Sequence, residues 1–229
     1  MSVVVKICGL NQPEPLEAAL AGGADMVGFV FFEKSPRHVD LALARRLAAL
    51  VGGRAQKVAL VVDADDARIA AIVEALAPDW LQLHGAEPPE RVAALRRFRL
   101  PILKAIGVAE PADFVRASAY ETVADRLLFD AKPPKGDALP GGNGLTFDWT
   151  LIRDHAGALA RKDWLLSGGL HAENVGEAIR LTGAPGVDVS SGVEQAPGEK
   201  SVDKILAFLA AARAGADPAT TLGLARGSV

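Results

Sequence analysis

A thiol, a carboxyl group and two glycine-rich turns hold most of the chemistry this sequence could perform. Cys8, the only cysteine, follows Val3-Val4-Val5-Lys6-Ile7 and precedes Gly9. A β-branched strand therefore ends by presenting a thiol beside a flexible residue. Such a thiol could be a base, a nucleophile or core filling, and lone cysteines are often small buried hydrophobes. Asp130 closes the run Arg126-Leu127-Leu128-Phe129-Asp130. Apolar neighbours disfavour its ionised form, which would raise its pKa toward the range of a general acid near neutral pH. The alternative is a helix cap or a salt bridge to Lys132 or Lys135.

Ser167-Gly168-Gly169-Leu170 and Ser190-Ser191-Gly192-Val193-Glu194 each follow an apolar run. Glycines let backbone N–H groups approach a ligand, and a helix N-terminus adds partial positive charge, so together they can hold a phosphate without lysines. One Gly-Gly pair would read as a tight turn. Two such loops in succession predict a phosphorylated small substrate. Arg37, in Ser35-Pro36-Arg37, suits a bidentate grip on a carboxylate, or else is a solvated surface residue. Gln82 and His84 share one face by period-two alternation. They either line a pocket or form a satisfied structural pair. Asp188 is either pocket-lining or a buried anchor for loop hydrogen bonds.

The elements that must position these residues are legible as alternation. Eight short apolar runs occupy 3–8, 26–31, 57–62, 80–84, 101–106, 126–130, 163–167 and 186–190. Between them apolar residues recur at three- and four-residue spacing, as in Leu41, Ala44, Leu47, Ala48 and in Ile69, Ile72, Val73, Leu76. Eight strand–helix units predict an α/β fold, a single (β/α)8 TIM barrel, rather than an open doubly wound sheet. Asp40 and Asp65 precede helix patterns, Pro88-Pro89 opens the fourth, and Gly22-Gly23 and Gly52-Gly53 end the first and second. The fifth helix, 111 to about 119, is short. The barrel is expected to fill 1–215, with 216–229 a frayed tail where periodicity is lost. The Gly- and Pro-rich segment 131–145 is too long for a plain connection and reads as a lid or ligand loop. In barrels the active site lies at the carboxyl ends of the strands, where Cys8, Arg37, Gln82, His84, Asp130, Gly168, Gly169, Ser190, Ser191 and Gly192 fall.

Composition narrows the classes. A length of 229 residues fits one large barrel domain. A formal net charge of -3 and no basic run give no footprint for nucleic acid or a membrane surface. No apolar stretch is long enough to span a bilayer, and the amino terminus lacks a basic region followed by a signal-type core. A cytoplasmic protein is the expectation. One cysteine excludes an intramolecular disulfide and a multi-cysteine metal site. No dimer patch stands out in the alanine-rich helices, and a monomer is favoured.

Seven segments in order resemble the phosphoribosylanthranilate isomerase family of tryptophan biosynthesis. They are Lys6-Ile7-Cys8-Gly9, Phe31-Phe32 with Ser35-Pro36-Arg37, Leu81-Gln82-Leu83-His84-Gly85, Phe129-Asp130, Gly141-Gly142-Asn143-Gly144 with Phe147-Asp148-Trp149, Leu166-Ser167-Gly168-Gly169-Leu170, and Gly186-Val187-Asp188-Val189-Ser190-Ser191-Gly192-Val193-Glu194. The departure is Asn143, where the family loop more often carries threonine; adjusted lid contacts are expected. The resemblance implies an Amadori rearrangement of N-(5-phosphoribosyl)anthranilate to 1-(2-carboxyphenylamino)-1-deoxyribulose 5-phosphate, with no cofactor or metal. It implies Asp130 as the acid that opens the furanose and a Cys8 thiolate as the base at C2, its ordinary pKa of about 8.5 being near enough to neutrality. Gly168, Gly169, Ser191 and Gly192 would hold the phosphate and Arg37 the anthranilate carboxylate. Two other readings remain open at this point: a related histidine-pathway aminoimidazole isomerase, whose resemblance would favour an aspartate in place of Cys8, and a non-catalytic phosphosugar-binding barrel.

Overall fold

The strand that carries Cys8, β1 (Val4–Cys8), is the seam at which the sheet closes. In a computed structural model describing residues 3–132, 148–159 and 163–216, it pairs in parallel with β2 (Met26–Val30) on one side and β8 (Gly186–Val189) on the other. Between them run β3 (Gln56–Val61), β4 (Trp80–Leu83), β5 (Ile102–Val108), β6 (Arg126–Ala131) and β7 (Trp164–Leu166). The eight form a closed barrel in sequence order. Among the described residues seven α-helices connect the strands: α1 (Pro13–Ala21), α2 (Leu41–Val51), α3 (Asp66–Leu76), α4 (Pro89–Ala94), α5 (Pro111–Ser118), α6 (Thr150–Leu159) and α7 (Val175–Thr182). The helix α8 (Val202–Gly215) closes the ring against α1 and α7.

The helix ends follow their local chemistry. The Asp40 carboxylate accepts from Leu43 N at 2.6 Å and that of Asp65 from Arg68 N at 2.7 Å, each satisfying a donor that the first turn leaves over. Gly52 ends α2 in the left-handed conformation. Strand β5 runs two residues past the expected end because Gly107 and Val108 continue the ladder with Asp130 and Ala131.

Alternation sorts the strands into two faces. Val5, Ile7, Phe29, Leu81, Leu83, Phe129 and Val187 join the core between sheet and helices. Met26, Val58, Leu103, Leu128 and Leu165 pack together inside the barrel. By the same alternation Lys6 and Cys8 share the inner face, as do Gln82, Asp130, Ser167 and Asp188. The interior is thus apolar in one part and polar toward the carboxyl rim.

One element has no counterpart in the sequence expectations. After β8 a single 3-10 turn (Ser191–Val193) leads into an antiparallel hairpin, β9 (Glu194–Ala196) with β10 (Glu199–Lys200). Pro197-Gly198 supplies the turn, with Gly198 at φ +84°. A Cβ at Gly198 would lie 2.5 Å from the Pro36 carbonyl oxygen, so the hairpin sits directly on the loop after β2. The expected lid falls largely on 133–145 and the expected tail on 217–229, both outside the described residues. Among the described residues no helix is long and apolar enough to cross a membrane.

Candidate active site

Cys8 ends β1 at the rim, 3% exposed, against Val30 and Leu60, with Phe32 and Val62 packed alongside. Its register partner on β2 is Gly28, where an added Cβ would lie 2.8 Å from the sulfur. The chain then turns at Gly9, φ +77°, whose N–H donates to the Gly28 carbonyl at 2.9 Å. A side chain at Gly9 would meet Arg37 Cδ at 2.6 Å and Ser190 Oγ at 3.2 Å, so three rim loops converge over the thiol. Beside the thiol lies Lys6, fully buried, its Nζ 2.5 Å from Asp188 Oδ1. Asp188 Oδ2 accepts from Ser167 Oγ at 3.2 Å. Of the two readings of Asp188, these contacts favour the anchor.

Burial pushes the Cys8 thiol above its ordinary value, while the Lys6 ammonium pulls it down and the Asp188 carboxylate pushes it further up. The thiol is therefore less acidic than its residue type alone suggests. Burial pulls Lys6 down, but Asp188 and Cys8 more than offset it, so Lys6 ends above its ordinary value and keeps its charge.

Asp130 sits at 6% exposure near the end of β6. Its Oδ1 accepts from Ala131 N at 2.9 Å, and its Oδ2 lies 3.3 Å from His84 Nε2. His84 Nδ1 is in turn 3.1 Å from Gln82 Nε2. Gln82 thus sits on the Nδ1 side of the ring, and Nε2 is the nitrogen that faces Asp130. Gln82 and His84 are thus a pair, as the alternation suggested, and the pair points at the carboxyl group. Gln82 Oε1 is buried without a hydrogen-bond partner. Of the two alternative partners for Asp130, Lys132 is 3.2 Å from Asp113 instead and Lys135 lies outside the described residues.

Gly168 and Gly169 follow β7 at φ +85° and +62°, a conformation open to glycine at little cost. A Cβ on Gly168 would stand 2.7 Å from Ala131 N, so this loop lies against the end of the Asp130 strand. A Cβ on Gly192 would collide with the Leu170 carbonyl, which shows the loops after β7 and β8 in contact. Asn174 braces the first of them, donating to the Gly169 carbonyl at 3.0 Å and accepting from His171 N at 2.8 Å. Lys200 braces the second, donating to Ser190 O at 2.8 Å and to Glu194 Oε1 at 2.7 Å.

Arg37 is 5% exposed, which removes the reading of a solvated surface residue. Its bidentate fork is made within the protein: Nε donates to Glu194 Oε1 at 2.7 Å and Nη2 to Glu194 Oε2 at 2.8 Å. Burial pushes Glu194 up, but Arg37 and Lys200 hold its carboxyl below the usual carboxylate range. Burial brings Lys200 down to about 8 against the pull of Glu194. Lys6, Glu194 and Lys200 are the site residues to which the sequence alone gave no role. Gly142 and Asn143 lie outside the described residues. Among the described residues no group of three or more His, Cys, Asp or Glu could hold a metal ion.

A closed parallel barrel with a buried thiol, a carboxyl group and paired glycine loops at its carboxyl rim has the architecture of a (β/α)8 enzyme. The family model for N-(5'-phosphoribosyl)anthranilate (PRA) isomerase matches residues 5–211. An N-(5'-phosphoribosyl)anthranilate isomerase of Rhodopseudomonas palustris (strain BisB18) is 60% identical over 215 residues, 93% of this chain and 97% of the relative. The crystal structure of phosphoribosyl anthranilate isomerase from Thermotoga maritima superposes with a TM-score of 0.82 at 36% identity, over 92% of this chain and 98% of that one. A phosphoribosyl anthranilate isomerase in complex with reduced 1-(o-carboxyphenylamino)-1-deoxyribulose 5-phosphate gives a TM-score of 0.79 at 34% identity, with the same coverage. The chain belongs to the N-(5'-phosphoribosyl)anthranilate isomerase family.

Proposed function

We propose that this barrel rearranges N-(5'-phosphoribosyl)anthranilate to 1-(2-carboxyphenylamino)-1-deoxyribulose 5-phosphate, with Asp130 as acid and Cys8 as base. The observation that carries this reading is placement. Within a family of this activity, Cys8 and Asp130 fall on the inner face near the carboxyl ends of β1 and β6, with the β7 and β8 loops between those strands.

Asp130 gives a proton to the ribose ring oxygen as the C1–O bond breaks, and the nitrogen lone pair forms a C1=N iminium. The iminium acidifies the C2 hydrogen. Cys8, as thiolate, takes that proton, and the C–H electron pair becomes the C1=C2 bond of an enolamine. Loss of the enol proton and protonation at C1 give the ketone. Gly168, Gly169, Ser190, Ser191 and Gly192 take the phosphate. Arg37, whose Nε and Nη2 are already on Glu194, is assigned to the anthranilate carboxylate through its charge rather than through the expected bidentate fork, and Gln82 and His84 to the sugar side beside Asp130. Gly142 and Asn143 are assigned to substrate contacts from the sequence alone. Holding the ligand by both ends fixes C2 over the sulfur, where orientation lowers the barrier.

All of these groups come from one chain, so a single barrel is the proposed working unit. A phosphorylated, charged substrate, which does not cross a bilayer unaided, supports a cytoplasmic location. The reaction is followed by the decay of phosphoribosylanthranilate fluorescence, the labile substrate being generated in situ from anthranilate and phosphoribosyl pyrophosphate. Cys8→Ala and Asp130→Asn are each expected to cut turnover by about a hundredfold or more with the fold intact, the scale of a lost acid or base. A wild-type rate in either variant would remove that residue from the mechanism. Activity only on the histidine-pathway aminoimidazole substrate would move the assignment there.

A further inference from the structure

Lys6 has no evident reason to be where it is if stability alone decides. It stands in the middle of a barrel strand, fully buried on the inner face. Desolvating an ammonium and a carboxylate costs several kcal/mol per ion, and an apolar pair of similar volume often does as well or better. Met26, Val58, Leu103, Leu128 and Leu165 fill the neighbouring interior in that apolar way. The lysine is instead matched by Asp188 at 2.5 Å, and Asp188 is itself fixed by Ser167 at 3.2 Å.

What distinguishes Lys6 is its neighbour two residues on. Both side chains lean over Gly28: a Cβ there would be 2.8 Å from the Cys8 sulfur and 3.3 Å from Lys6 Nζ. Sulfur and ammonium thus flank the same glycine, and the ammonium charge acts on the thiol. We propose that Lys6 is a positioning residue of the reaction, its ammonium steadying the Cys8 thiolate while Asp188, gripping the same ammonium, limits how much of that charge reaches the sulfur. This rests on Cys8 being the base.

The charged groups around the thiol are few. Lys6 comes from β1, Asp188 from β8 and Lys200 from β10, while β2 and β3 present only Gly28, Val30 and Leu60. Arg37 and Glu194, over the rim, are bound to one another. Lys6 and Lys200 favour the thiolate; Asp188 and burial oppose it. The two partners of the ion pair therefore act on the sulfur with opposite signs.

The test uses that sign. Since Cys8 is the only cysteine, the ultraviolet absorbance of its thiolate, read against Cys8→Ala as baseline, titrates this one group without substrate. Lys6→Met should move the thiol titration, and the ascending limb of kcat/KM against pH, upward by about one unit or more. Asp188→Asn should move both downward, and Lys6→Arg should return most of the wild-type profile. If Lys6→Met does not fold with Asp188 unpaired, the double variant Lys6→Met/Asp188→Asn carries the test, expected to titrate above Asp188→Asn. An unmoved titration in Lys6→Met, a double variant that titrates no higher than Asp188→Asn, or shifts of the same direction in the two single variants, overturns the inference. The two failures are separable: full activity in Cys8→Ala removes the base assignment, whereas an essential Cys8 with unmoved profiles removes only the role of Lys6.

Discussion

Replacing Gly28 by alanine tests the site by space alone. The residue has no left-handed backbone, so alanine can adopt its conformation, and every consequence must come from the added methyl. That methyl would lie 2.8 Å from the Cys8 sulfur, 3.2 Å from Cys8 Cα and 3.3 Å from Lys6 Nζ. Non-bonded carbons rest at about 3.5–4.0 Å, so the sulfur must retreat by roughly 1 Å. Backbone on one side and the buried ammonium on the other leave it little choice of direction. A reacting atom displaced by about 1 Å can cost on the order of a hundredfold in rate. The fold should suffer far less. Overpacking costs about 1–3 kcal/mol, of which alanine returns roughly 0.5–1 by losing less chain entropy than glycine. For a chain of this size the melting temperature should fall by no more than about 10 °C. The assay is the initial rate of phosphoribosylanthranilate fluorescence decay, with thermal unfolding followed by circular dichroism. A turnover within twofold of wild type, in a folded Gly28→Ala protein, would refute the reasoning.

Three further outcomes follow from named contacts. His84→Phe removes the 3.3 Å contact to Asp130, and since a hydrogen bond to the carboxylate that forms as Asp130 gives up its proton is worth about 1.5–3 kcal/mol, kcat should drop by roughly 10- to 100-fold with KM little changed; an unaltered kcat would leave His84 a bystander. Glu194→Ala leaves Arg37 and Lys200 buried without their shared carboxylate, which should cost about 3–5 kcal/mol and lower the melting temperature by roughly 6–20 °C; a shift under about 2 °C would contradict the pairing. Lys200 loses its proton at about 8 in the folded chain but near 10.5 when unfolded. Between those values the unfolded state binds more protons, so this group's contribution to stability rises with pH, and its cost is fully present below pH 8. Denaturant unfolding of wild type minus that of Lys200→Met should therefore grow by up to about 3 kcal/mol from pH 8 to above 10, and a flat difference would refute the shift.

The fold was legible because its signals are local. Each of the eight strands is a short apolar run, and capping by Asp40 and Asp65 is a matter of three residues. The hairpin of β9 and β10 escaped because Glu194–Ala196 and Glu199–Lys200 are too short and too polar to announce strands. Only Pro197-Gly198 marked the turn. The proposed acid and base were placed for the same reason as the strands: Cys8 and Asp130 close apolar runs, and a barrel places chemistry there. The acidity of Cys8 was not legible. The ordinary value of a thiol suggested a ready base, and the burial that pushes it up is a property of the packed rim, invisible in the eight residues around it.

The charges that tune the rim come from far apart in the chain. Arg37 meets Glu194 across 157 positions, and Lys6 meets Asp188 across 182. Spacing cannot disclose such pairs, but closure of the barrel can. Lys6 shares an inner face with Cys8 by alternation, and an ammonium buried there needs a carboxylate from an adjoining strand. In a closed ring the neighbours of β1 are β2 and β8 and no others. Strand β2, Met-Val-Gly-Phe-Val, has no acid to give. Strand β8, Gly-Val-Asp-Val, has one, and it is opposite Lys6 in the register. Once eight strands are counted and the sheet is closed, Asp188 is the only residue in an adjoining strand that can neutralise Lys6, and the Cys8 thiol feels both charges.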